Sequence, residues 1–535
     1  MQSSILVVRF GSLGDVILTS PTVLNVKLAH HDRQLVYLTR ERFRSLVERF
    51  DGVDRVETVS DHVTSLELFK KLREVEKLNP DSVVDLHGNF RSWMTRMLVA
   101  ANHKSVYPKR RWERWRLTRK RKTLPLEYPH TIDLYNEVVL SKGNRAHCRR
   151  PLMAPPPLSS EYASISDGDG PVVLMAPGAA HPTKSWPVER FADVASILRR
   201  ECGARIVWAV TTAERAAAAL PSEMKDPGIV ELLDCPLDQL AAIAAGSRLA
   251  ITNDSGVGHL ASAVGTPVLA LFGPTHPVLG FAPRGLRDRV LQVDEFCRPC
   301  SRHGQKPCWR EERFCFTKLS SQRVAAEATA MLEEASDLVP GLLVDRDGTI
   351  IVDKEYLSDP EKVELIDGAS AAIRKAREKG YKIAVVSNQS GVARGYHTYE
   401  DVEKVNAKLT TLLEAEGVRV DGFYFCPHHG KRGRVPEYTL DCRCRKPSPG
   451  MAEQAALECG LDLRKSVVVG DSLTDIGLGR VIGARSILVR TGYGAGLVES
   501  HGERLKRHGV EIADDLRAAV EMLSHSRKPA RSRET

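Results

Sequence analysis

Residues 342–350 read LLVDRDGTI, an apolar run of buried-strand type ending in two aspartates two positions apart. That spacing suits phosphate-ester chemistry. Asp345 can attack phosphorus and form an acyl phosphate, and Asp347 can protonate the leaving oxygen and then activate water. Two carboxylates so close repel each other, and Mg²⁺ would relieve the repulsion and neutralise the phosphate. The other parts of such a site follow in order. VVSNQSG (385–391) offers Ser387 and Asn388 at a strand end as phosphate donors, and Arg445 and Lys446 offer positive charge. VVVGDSLTDI (467–476) ends another strand with Asp471 and Asp475, both suited to a metal. Any one of these aspartates alone would read as a cap or turn residue; the ordered set does not.

Ahead of Arg445 and Lys446 lies FCPHHGKRGRVPEYTLDCRCRKPSPG, residues 425–450. A C-x-H pair (Cys426, His428) facing a C-x-C pair (Cys442, Cys444) points to a metal, and the trailing Arg-Lys-Pro to an anion site. Cys297, Cys300, Cys308 and Cys315 form a second group. Its opening C-x-x-C suits a four-sulfur zinc site, while the wider later gaps equally fit a set of unlinked thiols. Cys148, Cys202, Cys235 and Cys459 are scattered and read as small hydrophobes.

The first half carries three further motifs. In VVRFGSLGDVILTSPTVLNVK (7–27) a strand gives way to a glycine turn and a helix with Asp15 in its first turn. APGAAHPTKSWPVERF (176–191) sets Lys184 after a glycine loop, and NDSGVGHLASAVGTPVLALFGPTHP (253–277) sets Asp254, Ser255, Gly256 and His259 at a strand-to-helix junction. Such junctions offer free backbone N–H groups to phosphates, and Lys184 adds a point charge.

Elements that would position these residues recur along the chain. ILVV (5–8), LVYL (35–38), SVVDL (82–86), VVLMAP (172–177), RIVWAV (205–210), LAIT (249–252) and PVLALFG (267–273) read as buried parallel strands, with helical patterns between most of them. The fold class is α/β, doubly wound. A Pro/Ser/Gly-rich stretch, 153–171, reads as a linker, and a new strand–helix series starts at Gly341. Three domains result, 1–155, 165–336 and 339–525, with a disordered basic tail at 526–535. No apolar run spans a bilayer and the start reads as a strand, so a cytoplasmic protein is expected.

Taken together, the first-half motifs resemble glycosyltransferase family 9, the heptosyltransferases, over about 1–335. The family implies a GT-B fold, two Rossmann-like domains with the site in the cleft. It implies Asp15 as general base, Lys184 on the donor phosphate and Asp254 on the donor sugar, with Ser255, Gly256 and His259 at the junction beside its diphosphate. The donor would be ADP-heptose and the acceptor the inner core of lipopolysaccharide, with no metal needed for transfer. The DRDGT set resembles the haloacid dehalogenase superfamily, with Asp345, Asp471 and the Asp347 carbonyl holding Mg²⁺. With FCPHH and CRCRKPSPGM it resembles the heptose 1,7-bisphosphate 7-phosphatases over about 341–500. That family implies structural Zn²⁺ on Cys426, His428, Cys442 and Cys444, with His429 as the other available ligand, and Arg394 at the substrate. Histidinol-phosphate phosphatases share this loop plan; fusion to a heptosyltransferase-like half favours heptose bisphosphate as the substrate, with histidinol phosphate as the alternative.

The net charge is +9, and KSVYPKRRWERWRLTRKRK (104–122) holds ten Lys/Arg and one acid around Trp112 and Trp115. Contact with a membrane or an anionic lipid-linked acceptor, a solvated loop, and nucleic-acid binding all fit this stretch; the heptosyltransferase resemblance favours the first. The partners expected are a sugar bisphosphate, a nucleotide-sugar donor and that acceptor. A rival arrangement is a phosphatase docked to membrane or nucleic acid by a non-catalytic first half.

Overall fold

The computed structural model describes residues 3–119, 125, 128–141, 144–218, 221, 228–507 and 509–525. The tail 526–535 and Lys120, Arg121 and Lys122 of the basic stretch lie outside the described residues. The chain forms two compact units, Met1–Ala335 and Ser336–Thr535.

The N-terminal unit holds two parallel sheets. Strands β1 (Ser4–Val8), β2 (Gln34–Arg40), β3 (Arg55–Val59), β4 (Pro80–Asp85) and β5 (His103–Val106) form the first, in the order β3-β2-β1-β4-β5. Strands β6 (Val172–Ala176), β7 (Arg205–Val210), β8 (Ile229–Leu233), β9 (Leu249–Asn253), β10 (Val268–Phe272) and β11 (Arg289–Gln292) form the second, in the order β11-β10-β9-β6-β7-β8. Central strands such as β1, β9 and β10 are buried along their whole length, as strands covered by helices on both faces must be.

Buried amides tie the first sheet's helices together. Asn25 Nδ2 donates to Asn136 Oδ1 at 3.0 Å and to the Cys148 carbonyl at 2.8 Å. The start of the expected linker is also packed: Met153 is buried and its N–H donates to the Ala263 carbonyl at 2.9 Å. The basic stretch, whose readings included a solvated loop, is ordered through Arg119 as edge strand β5 and helix Arg111–Leu117.

The C-terminal unit is one parallel sheet. Strands β12 (Val339–Val344), β13 (Lys382–Asn388), β14 (Gly422–Cys426), β15 (Leu461–Gly470), β16 (Arg485–Val489) and β17 (Glu511–Ala513) run in the order β14-β13-β12-β15-β16-β17. Its core packs Leu342, Val344, Val385, Val467 and Ile487 under helices that include Ala369–Glu378 and Tyr399–Ala415. No helix among the described residues is long and apolar enough to cross a membrane.

Asp288 gives the N-terminal unit a pH signature. Its carboxylate accepts from Ser262 Oγ at 2.6 Å and from the Val268 N–H at 3.1 Å. Burial outweighs these bonds and pushes its pKa from 3.8 up to about 6. The folded state therefore holds a proton that the unfolded chain has lost, and stability should fall as pH rises from about 4 to about 6. Unfolding midpoints across that window should slope downward in the wild type and lose this component in Asp288→Asn.

Candidate active sites

In the N-terminal unit two strand-to-helix turns meet. Helix Leu13–Ile17 follows β1 and helix Gly256–Ala263 follows β9, and the two helices pack together. Both contact points are glycines. A Cβ on Gly14 would lie 2.7 Å from His259 Cδ2, and one on Gly256 would lie 3.0 Å from the Leu13 side chain. A cavity of about 380 Å³ is lined by Asp15 from the first turn and by Lys184, Asp254, Ser255, Gly256 and His259 from the second sheet. The structure thus gathers in one place every first-half residue singled out by sequence, the cysteines aside.

Asp15 is half-buried against a cation. Its Oδ2 lies 2.5 Å from Arg9 Nη2 and accepts from Ser12 Oγ at 3.1 Å, and Tyr135 Oη donates to Oδ1 at 3.5 Å. Burial alone would push its carboxyl up; Arg9, with Ser12 and His259, overrides this and holds it below the ordinary carboxylate range. Arg9 is itself anchored, donating from Nη1 to the Leu86 carbonyl at 2.6 Å. Lys184 Nζ sits 2.7 Å from Asp254 Oδ2, which also accepts from Thr275 Oγ1 at 2.8 Å. Burial lowers the pKa of His259. Its Nδ1 and the Ser255 hydroxyl are buried without a hydrogen-bond partner among the described residues, which is how groups that wait for a polar ligand look.

A second cavity, about 330 Å³, also reaches Asp15 and is ringed by Arg9, Lys109, Arg111, Arg114 and Arg302. Arg114 donates to Thr131 Oγ1 at 2.8 Å and lies over the Phe281 ring. Sequence reasoning missed Arg9 and Arg302. The signal for Arg9 was a charge in an otherwise apolar run at the end of β1.

Cys297, Cys300, Cys308 and Cys315 all line one small cavity, and among the described residues no three of their sulfurs lie within 4.8 Å of one another. Arg298 ties this segment together. Its buried guanidinium donates to the carbonyls of Val293 at 2.6 Å and Thr275 at 2.8 Å, to Gln292 Oε1 at 2.9 Å, and to the Gly273 carbonyl.

In the C-terminal unit the site sits at the carboxyl ends of β12, β13 and β15. Lys446 Nζ is fully enclosed, 2.9 Å from Asp345 Oδ1 and 2.6 Å from Asp475 Oδ1, and donates to the Val386 carbonyl at 2.8 Å. Asp345, Asp471 and Asp475 bring carboxylate oxygens within 4.8 Å of one another. Burial pushes Asp345 up to about 8 despite Lys446, and Asp471 up to about 6. One lysine does not neutralise three buried acids, so the cluster suits a dication. Asp475, expected at a metal, is fully buried and paired with Lys446. Asp471 is gripped by glycines: a Cβ on Gly348 or Gly492 would lie 2.2 or 2.0 Å from its Oδ2.

Asp347 is held apart from this cluster. Arg346 reaches it at 3.1 Å and also donates to Asn406 Oδ1 at 2.8 Å, and Gln389 Nε2 donates to Asp347 Oδ2 at 2.7 Å. Neither Arg346 nor Gln389 was singled out from sequence, although both flank residues that were. Ser387 Oγ is 3.5 Å from Asp347 Oδ2. Asn388 bonds the Lys446 backbone in both directions, at 2.9 and 3.3 Å, and so seats the lysine. Arg394 lies over the Tyr356 ring, 5.7 Å from its centroid.

The Cys/His loop is assembled. Cys426 Sγ lies 3.4 Å from Cys442 Sγ and 3.3 Å from Cys444 Sγ, and His428 Nδ1 lies 3.3 Å from Cys444 Sγ. His429 is turned to other work, its Nδ1 accepting from the Lys431 and Arg432 N–H groups. Arg445 N–H donates to Cys442 Sγ at 3.4 Å and its side chain to the His428 carbonyl at 3.3 Å, so the cluster holds the residue next to Lys446.

Comparison with known proteins agrees with this division. Residues 65–308 match the model of glycosyltransferase family 9 (heptosyltransferase), and residues 443–519 match a HAD-hydrolase-like model. A D-glycero-beta-D-manno-heptose-1,7-bisphosphate 7-phosphatase from Yersinia pestis is 42% identical over 156 residues, 29% of this chain and 82% of the relative. One from Haemophilus influenzae is 39% identical over 178 residues, 33% of this chain and 93% of the relative. A family 9 glycosyltransferase structure from Veillonella parvula aligns with TM-score 0.52 and 22% identity, covering 62% of this chain and 98% of its own. The folds are a GT-B pair of Rossmann-like sheets followed by a haloacid-dehalogenase-type sheet.

Gly14→Ala should drive a methyl into His259 and displace Asp15. Turnover at that cavity should drop by about 10²-fold while phosphate release by the C-terminal unit stays unchanged, as parallel assays on one preparation would record.

Proposed function

The chain belongs, through its C-terminal unit, to the heptose 1,7-bisphosphate 7-phosphatases and carries a family 9 glycosyltransferase domain in its N-terminal unit; from that premise we propose that both activities serve heptose incorporation into lipopolysaccharide core. The C-terminal unit hydrolyses the 7-phosphate of D-glycero-D-manno-heptose 1,7-bisphosphate, and the N-terminal unit transfers heptose from ADP-heptose to an anionic, lipid-linked inner-core acceptor.

In the phosphatase reading Asp345 is the nucleophile and becomes an aspartyl phosphate, and Asp347 protonates the leaving sugar oxygen and then takes a proton from water. The observation that carries it is the placement of Asp345 against Lys446 with Asp347 held separately by Arg346 and Gln389. Lys446 orients Asp345, and the Gln389–Asp347 bond aims the acid. Asp345, Asp471 and the Asp347 carbonyl would hold Mg²⁺, which when bound would neutralise charge on the phosphoryl group. Cys426, His428, Cys442 and Cys444 would hold Zn²⁺ in a closed four-ligand site, whose role would be structural.

In the transferase reading Asp15 takes the proton of the acceptor hydroxyl. Arg9 keeps it ionised and ready to do so. Lys184, Asp254, Ser255, Gly256 and His259 receive the donor. The cationic second cavity beside Asp15 favours an acceptor bearing carboxylates or phosphates.

Asp345→Asn should lower phosphate release at least about 10³-fold and leave transfer intact, and Asp15→Asn should do the reverse; equal loss of both in either variant would overturn the two-site reading. Assayed side by side, the two anomers of heptose 1,7-bisphosphate should be hydrolysed well ahead of histidinol phosphate. The opposite order would reassign the substrate. Cys442→Ser should lose about one equivalent of zinc by elemental analysis and melt the C-terminal unit earlier, and unchanged zinc would refute the ligand set.

A further inference from the structure

The two cavities that reach Asp15 share four lining residues: Asp15 itself, Phe281, Arg302 and His303. Those four mark the seam between the cavities. Asp15 comes from the turn after β1, and Arg302 and His303 from the cysteine-bearing segment beyond β11. That segment is pinned on both sides of them. On one side Arg298 is buried and held by the carbonyls of Val293 and Thr275. On the other, the Gly304 N–H donates to Ser301 Oγ at 2.9 Å, and the Gly304 carbonyl accepts from Thr183 Oγ1, one residue from Lys184. Gly304 has φ +78°, and a Cβ there would run into the stem of Lys184, so glycine lets this turn close on that loop. Arg313 adds bonds to the carbonyls of Pro182 at 3.0 Å and Ser185 at 3.1 Å. Arg302 is therefore carried on a turn fastened to the same loop that presents Lys184.

Without Arg302 the charges around the larger cavity do not balance for an anionic guest. Asp15, Glu214 and Asp254 line it as carboxylates, and among the described residues Lys184 and Arg302 are its only lysine and arginine. Lys184 is already engaged, its Nζ 2.7 Å from Asp254 Oδ2 and both side chains nearly buried. Arg302 pairs with no carboxylate among the described residues. A nucleotide sugar brings a diphosphate with negative charge on each phosphate, which one paired lysine does not offset. The second cavity is supplied differently. Arg9, Lys109, Arg111 and Arg114 line it against Asp15, so an anion there is met without Arg302. A planar fork of N–H donors also fits phosphate oxygens two at a time, which a lysine cannot do.

We propose that Arg302 is a catalytic residue of sugar transfer, its guanidinium meeting the donor diphosphate at the seam between the cavities. This rests on the transferase reading and adds to it the group that receives the departing charge. In the step, Asp15 takes the proton of the acceptor hydroxyl and the hydroxyl oxygen bonds to the anomeric carbon. The bond from that carbon to the diphosphate oxygen breaks, and its electron pair stays on the diphosphate. Negative charge thus passes from the acceptor side to the donor side, across the seam where Arg302 stands. A fixed cation there binds the transition state more tightly than the ground state.

The test is calorimetric titration of the full chain with ADP, UDP and GDP, followed by transfer kinetics. Wild type should bind ADP. Arg302→Gln should bind it about tenfold more weakly and lose about 10²-fold in kcat with the acceptor KM unchanged, and Arg302→Lys should recover part of both. Arg302 is exposed, so the variants should keep the wild-type unfolding midpoint. Equal nucleotide affinity in Arg302→Gln and wild type, or no nucleoside diphosphate bound by wild type, overturns the proposal. So does a raised acceptor KM with nucleotide affinity unchanged, since Arg302 would then serve the acceptor. Binding of UDP or GDP in place of ADP, with the same loss in the variant, upholds Arg302 and reassigns the donor. If Arg302→Gln weakens ADP binding but wild type transfers no sugar, the contact to the diphosphate is upheld and the transferase reading is what fails.

Discussion

A parallel sheet covered by helices on both faces can present chemistry only where its strands end. The sites of this chain all obey that limit. Asp345 follows β12, Ser387 and Asn388 close β13, Asp471 follows β15, Asp254 follows β9, and Arg9 and Asp15 follow β1. Each reactive group lies at, or within about seven residues of, the carboxyl end of a strand that is mostly buried there, so it inherits the stiffness of the sheet. The turns are tight and glycine-bearing, which lets facing backbones approach where Gly14 meets His259 and where Gly348 and Gly492 close on Asp471.

Burying carboxylates at strand ends has an electrostatic cost that each site meets with a cation of its own: Arg9 for Asp15, Lys184 for Asp254, Arg346 for Asp347, Lys446 for Asp345 and Asp475. The outcomes differ by stoichiometry. One guanidinium against one carboxylate leaves Asp15 readily ionised. One ammonium among three carboxylates leaves Asp345 and Asp471 raised and the cluster short of positive charge. The first arrangement keeps its carboxylate ionised, at some cost in basicity; the second suits a site completed by added positive charge.

The central strands were legible because burial on both faces writes itself as an unbroken apolar run, as in VVLMA and LALF. The edge strands β3, β5 and β8 were not. Half-exposed edges tolerate Arg55, Lys104 and Glu231, which hide the pattern. Site residues that do chemistry stood out by type and spacing. Those that orient them, Arg346, Gln389 and Arg9, did not, because a supporting role depends on what lies across the fold. The paired cysteines mark the limit of spacing as evidence: C-x-H with C-x-C closed into a cluster, while the four between 297 and 315 line a cavity without converging.

That contrast has a physiological side. The cysteine-bearing segment of the N-terminal unit is gathered around Arg298, a charge the chain carries with it. The loop beside Lys446 is gathered around Cys426, His428, Cys442 and Cys444, a ligand set that an ion taken up from outside would complete. On the zinc reading proposed above, zinc starvation would loosen that loop and leave the Arg298 network, which draws on no outside supply, intact.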